Sequence, residues 1–105
     1  MDKFITVDDR KFQDLINGCD YKLLDVRRPD EFAEGHLPNA VNIDVEDPLF
    51  DEKVKSMFPP DSKLAVYCRS GRRSALASEK LVKDGYKGVV DLGGGILGWT
   101  GPVVR

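Results

Sequence analysis

The sequence has one histidine, His36, and two cysteines, Cys19 and Cys68, in 105 residues. A structural zinc site takes about four Cys or His ligands, so this supply falls short of the usual set and no metal is expected. A Ser-His-Asp catalytic arrangement is equally poorly provided for. Two cysteines are too few for the disulfide framework of a secreted miniprotein, and a reducing, cytoplasmic setting is expected. No apolar run approaches the ~18 residues of a membrane span, and acids interrupt the opening residues too early for a signal peptide. Charge of one sign is lacking too. The 16 Lys and Arg against 18 Asp and Glu leave a formal net charge of −2, which argues against a nucleic-acid partner.

What is present is the makeup of a globular domain, with 41% hydrophobic and 32% charged residues. The length fits a single domain over residues 1–105. The near-neutral total hides a split: residues 1–62 carry 8 basic and 15 acidic side chains, whereas residues 63–105 carry 8 and 3.

Short apolar strands alternate with segments of helical period, the pattern of an α/β domain with a mainly parallel sheet. Strands are predicted at Phe4–Val7, Leu23–Val26, Ala40–Ile43, Leu64–Tyr67 and Gly88–Leu92. A first helix is expected to start at Thr6, with Asp9 completing a capping box. It carries Phe12, Leu15, Ile16 and Cys19 on one face and Gly18 at its end. Pro29–Gly35 reads as a short helix. Asp47-Pro48 reads as the cap and first turn of another, stopped by Pro59-Pro60. The last helix is expected over Ser74–Asp84, ended by Gly85.

The chemistry concentrates after the strand Leu64–Tyr67, in Cys68-Arg69-Ser70-Gly71-Arg72-Arg73. Ligands of open parallel sheets bind beyond the carboxyl ends of strands. A loop over a helix N-terminus aims backbone N–H groups and the helix dipole at one spot. Three arginines with no acid among them deepen that positive field around Cys68. Thiolate is the reactive form of cysteine, and lowering its pKa from ~8.5 to about 6.5 raises the thiolate share at pH 7 from about 3% to about 75%. Cys68 is therefore the candidate nucleophile, and Cys19, on an apolar helix stripe, a core residue. Arg69, Arg72 and Arg73 are candidates to grip an anion. Ser70 and Gly71 would contribute backbone N–H groups, and Ser74 would cap the following helix. Asp25, at the end of a buried strand, is expected to pair with Arg27 or Arg28.

These residues carry a family resemblance. The chain resembles a single-domain rhodanese, a sulfurtransferase, through Cys-Arg-Ser-Gly-Arg-Arg-Ser at 68–74 after a hydrophobic strand. Further signposts follow in order: Leu24-Asp25-Val26-Arg27, Asp30-Glu31-Phe32, Gly35-His36-Leu37-Pro38-Asn39-Ala40, Asn42-Ile43, Asp84-Gly85-Tyr86, Leu92-Gly93-Gly94-Gly95-Ile96 and Trp99. The resemblance implies a three-layer fold, a five-stranded mainly parallel sheet flanked by helices, with Cys68 at the base of a six-residue cradle. It also implies a two-step reaction without cofactor. Cys68 takes a sulfane sulfur from a small anionic donor such as thiosulfate, then passes it to cyanide, a thiol or a protein acceptor. His36 matches a structural position, and Trp99 is expected to pack. Asn39 stands where relatives often have glycine, and the tail after Trp99 is shorter than usual. A monomer suffices for all of this, and no membrane is involved.

Two rival readings remain at this stage. Cysteine phosphatases and arsenate reductases place an arginine six residues after the cysteine, whereas here Ser74 holds that place and Arg73 comes one residue early. A partner-binding or persulfide-carrier module on the same scaffold is the other; modules of the purely binding kind often lack the cysteine, which is present here.

Overall fold

The structure, a computed structural model, describes residues 3–18 and 20–105. Cys19, expected in the core, lies outside the described residues. The chain runs β1 (Ile5–Val7), α1 (Asp9–Asn17), β2 (Tyr21–Asp25), α2 (Pro29–Glu34), β3 (Val41–Asn42), α3 (Phe50–Met57), β4 (Lys63–Tyr67), α4 (Arg72–Lys83) and β5 (Gly88–Leu92), followed by a 3₁₀ turn at Ile96–Gly98. The sheet order is β1-β5-β4-β2-β3, and every strand pair is parallel. A parallel sheet is covered on both faces, which is why its strands read as continuous apolar runs.

Alternation along the strands sorts the core into two layers. Leu64 and Val66 of β4 join Leu24, Val89, Phe50, Val54, Ala77 and Leu81 on the side of α3 and α4. Ala65 and Tyr67 join Leu23, Val90, Leu92 and Phe12 on the side of α1. The result is the expected α/β three-layer fold with five strands. Trp99 packs there as expected, its ring edge-on to Phe12 at 6.1 Å.

Three helix starts differ from expectation. Asp8, not Thr6, caps α1, its carboxylate accepting the Lys11 N–H at 2.9 Å. Thr6 is held in β1 by pairing with β5, and its hydroxyl donates to Asp91 at 3.1 Å. Asp47 closes a tight turn by accepting the Leu49 N–H at 2.8 Å, so α3 begins only at Phe50. Helix α4 begins at Arg72, two residues before Ser74, because Gly71 already turns the chain at φ +105°.

The buried acid of β2 finds its partner in Arg27. The Arg27 guanidinium donates to the Asp25 carboxylate at 2.7–3.1 Å and to the Gly35 carbonyl at 2.7 Å, while Arg28 stays exposed near Asp30 and Glu31. His36 has a structural setting. Its ring stacks on Phe32 at 3.7 Å between centroids, and its backbone exchanges two 2.8 Å hydrogen bonds with Val104. The segment after Trp99 thus folds back onto the start of the segment after α2. Asn39 adopts φ +69°, a conformation that asparagine tolerates.

Candidate active site

Cys68 leaves the carboxyl end of β4, a strand with neighbours on both sides, and is only 1% exposed. Its sulfur is held from two directions. The Gly71 N–H points at Sγ from 3.0 Å. The Ser74 hydroxyl oxygen lies 3.5 Å away, in reach of the thiol proton, and donates to the Gly71 carbonyl at 3.2 Å. Helix α4 starts at once behind this loop, with no acid in its first turn. Its N-terminal dipole therefore adds to the positive field around the sulfur.

The loop is fixed from outside by the turn after β5. The carbonyls of Cys68 and Arg69 accept N–H bonds from Ile96 at 2.9 Å and Leu97 at 3.1 Å. Two glycines allow this approach. A Cβ on Gly71 would stand 2.2 Å from the Gly93 carbonyl oxygen, and one on Gly95 would stand 2.2 Å from the Arg69 carbonyl oxygen.

The arginines take different positions. Arg69 and Arg72 are exposed on the rim, as is Ser70, and neither arginine forms an ion pair among the described residues. Arg73 reaches instead to α2, where its guanidinium donates to both oxygens of Glu31 at 2.7 and 3.0 Å. That grip pulls the Glu31 carboxyl down to about 2. It also holds the Arg73 guanidinium above its ordinary range, with a smaller attraction from Cys68.

Sequence reading missed three participants. Ser74 is expected to cap the helix, yet it lies against the sulfur; with α4 starting at Arg72 it is already inside the first turn. Glu31 pairs with an arginine 42 residues away, which no local spacing signals. Asp91 is buried on β5, on the same face as Val89 in the core layer of α4; an acid inside the apolar run Val89-Val90-Asp91-Leu92 was the available hint.

Fold and site together define an α/β domain that carries a buried cysteine at the start of an arginine-rich loop between β4 and α4. The Rhodanese-like domain family matches residues 8–102, and the chain belongs to that family. It is 38% identical over 88 residues to a protein of Allochromatium vinosum named Sulfurtransferase, covering 84% of this chain and 79% of that one. It is 40% identical over 89 residues to the Senescence-associated protein DIN1 of Raphanus sativus, covering 76% of this chain but 49% of the relative, about half its length. Among solved structures, a rhodanese-related protein of Thermoplasma volcanium superposes with a TM-score of 0.81 at 36% identity, covering 94% of this chain and 96% of that one.

Proposed function

We propose that the protein is a sulfurtransferase in which Cys68 carries the sulfur. The observation that supports this reading most directly is the Gly71 N–H aimed at Sγ from 3.0 Å in a loop free of acids. In the first step the Cys68 thiolate attacks the outer sulfur of thiosulfate. A new S–S bond forms, the S–S bond of thiosulfate breaks, and its electron pair leaves with sulfite. In the second step cyanide or a thiolate attacks the outer sulfur of the Cys68 persulfide, and the Cys68 thiolate returns with thiocyanate or a new persulfide as product. Splitting the transfer this way is the general advantage of a covalent intermediate.

The surroundings suit both steps. The backbone N–H groups of Ser70 and Gly71 and the α4 N-terminus favour the anionic donor, the persulfide anion and the departing sulfite. Arg69 and Arg72 on the rim draw small anions in, while Arg73, shared with Glu31, contributes field more than grip. No cofactor is required. A protein thiol in a reducing compartment is a fitting acceptor, and one copy of the chain holds the whole site.

Thiosulfate is expected to add the mass of one sulfur atom to the intact protein, and cyanide to remove it as thiocyanate forms. Cys68→Ser is expected to show neither. A mass gain that survives Cys68→Ser, or none in the unsubstituted protein, would overturn the reading. Turnover of an aryl phosphate instead would promote the phosphatase alternative. Sulfur loading without release to small acceptors would mark a carrier that serves one partner.

A further inference from the structure

The buried polar side chains among the described residues are Asp25, Arg27, Ser74, Ser78 and Asp91. The first two satisfy each other. The other three gather on the opposite side of the sheet, directly behind Cys68. Asp91 lies two residues after Val89 on β5 and so shares its face, and Val89 belongs to the same core layer as Ala77 and Leu81 of α4. Ser74 and Ser78 are one helical turn apart on that same helix. Buried polar atoms are almost always partnered, yet Ser78 Oγ and Asp91 Oδ1 have no hydrogen-bond partner among the described residues.

Asp91 is 2% exposed. Its Oδ2 receives the Thr6 hydroxyl of β1 at 3.1 Å, and its register neighbour on β4 is the apolar Val66. The buried face of α4 that covers this part of the sheet carries Ser74, Ala77, Ser78 and Leu81. An ionised carboxylate would hold its charge here with neutral hydroxyls alone, a setting that favours the neutral acid. Burial accordingly pushes the Asp91 carboxyl up, against the Ser74 and Thr6 hydroxyls, which pull it down.

Ser74 Oγ lies 3.5 Å from the Cys68 sulfur and belongs to that buried face of α4, which covers the Val89 and Asp91 face of β5. A serine hydroxyl has one proton to donate and two lone pairs. An ionised Asp91 would claim that proton and set a negative charge close behind the sulfur. A neutral Asp91 has a proton of its own to offer. We propose that Asp91 is a positioning residue for Cys68, acting through Ser74: its carboxylic acid donates to the Ser74 hydroxyl, which turns its own proton from the Gly71 carbonyl to the Cys68 thiolate. A charged acceptor outcompetes a neutral carbonyl for that proton. Nothing is transferred along the chain, since Asp91 keeps its proton and the thiol proton leaves to solvent. Arg73, in the first turn of α4, also interacts electrostatically with Cys68.

The inference rests on the sulfurtransferase reading only for the use made of the thiolate. Its test therefore measures the thiol without a sulfur donor, as the rate of Cys68 alkylation against pH. Ser74→Ala and Asp91→Leu are each expected to raise the midpoint by about one pH unit, roughly tenfold less thiolate at a given pH below it. The double variant should rise no further. Asp91→Asn keeps one donor and one acceptor and should stay within about 0.3 unit. Isotope-edited infrared spectra at neutral pH should show a protonated carboxyl band that Asp91→Asn removes. A missing band, or a midpoint lowered in Asp91→Asn, would mean that Asp91 is ionised and would overturn the proposal. Shifts that add in the double variant would also overturn it, since Asp91 would then act without Ser74. If Asp91→Leu does not fold, the band and the Asp91→Asn midpoint decide.

Discussion

Replacing Gly95 by alanine tests whether the turn after β5 holds the catalytic loop in place. Gly95 has φ +62° and ψ −168°, a region essentially confined to glycine, where other residues carry about 1–3 kcal/mol of strain. The new Cβ would lie 2.2 Å from the Arg69 carbonyl oxygen, 2.4 Å from its carbon and 2.6 Å from the Ser70 nitrogen. All three are backbone atoms and cannot rotate away, so relief to an ordinary contact moves the loop by about 1 Å. Overpacking adds about 1–3 kcal/mol, for a total of about 2–5 kcal/mol. That lowers Tm by roughly 10 °C or more in a domain of this size. A 1 Å misplacement of a reacting group costs about a hundredfold in rate. The rate at which thiosulfate loads sulfur onto Cys68, followed by intact mass, should fall by that order in the folded fraction. Gly94→Ala is the control, because its Cβ would meet nothing closer than 3.9 Å. A Gly95→Ala protein that melts and loads sulfur like the unsubstituted chain would refute the reasoning.

Two further outcomes follow from the ion pairs. Arg73 draws the Glu31 carboxyl from 4.5 down to about 2, so the pair stabilises fully above about pH 5 and fades as pH falls toward 2. The full shift corresponds to about 3 kcal/mol; with the side chains 25% and 17% exposed, solvent screening reduces this to about 1–2 kcal/mol. Urea midpoints measured from pH 7 to pH 3 should show that loss, and Glu31→Gln should lower stability at pH 7 while flattening the profile. Arg27→Met strands the buried Asp25 carboxylate and should cost about 3–5 kcal/mol, read as a drop in Tm. Adding Asp25→Leu should recover most of it, and an Arg27→Met protein within about 1 kcal/mol of the original would count against a charged pair.

What the sequence made legible was set by local physics. β4 stood out because burial on both faces demands an unbroken apolar run, and the loop at 68–73 because a strand, glycine and arginines adjoin in the chain. Helix α4 begins two residues before the expected Ser74 because Arg72 and Arg73 read as loop, while the left-handed turn at Gly71 already commits them to the helix. Asp25 could be read as paired, but the choice of Arg27 over Arg28 depends on how β2 ends and where Gly35 lies. Glu31 with Arg73 and Thr6 with Asp91 are separated by 42 and 85 residues. Such contacts exist only once the sheet has set the elements side by side.

The placement of β1 bears on the order in which the molecule can be assembled. Among the described residues its one neighbour in the sheet is β5, with Ile5–Val7 set against Val90–Leu92. During synthesis the first strand therefore emerges long before its partner exists, and pairing of this sequence separation is slow to form. The turn that grips Arg69 comes from the same late segment. The sheet and the loop around the nucleophile are thus completed together, by β5 and the turn after it, and a nascent chain that has not yet made them has a cysteine but no fixed loop around it.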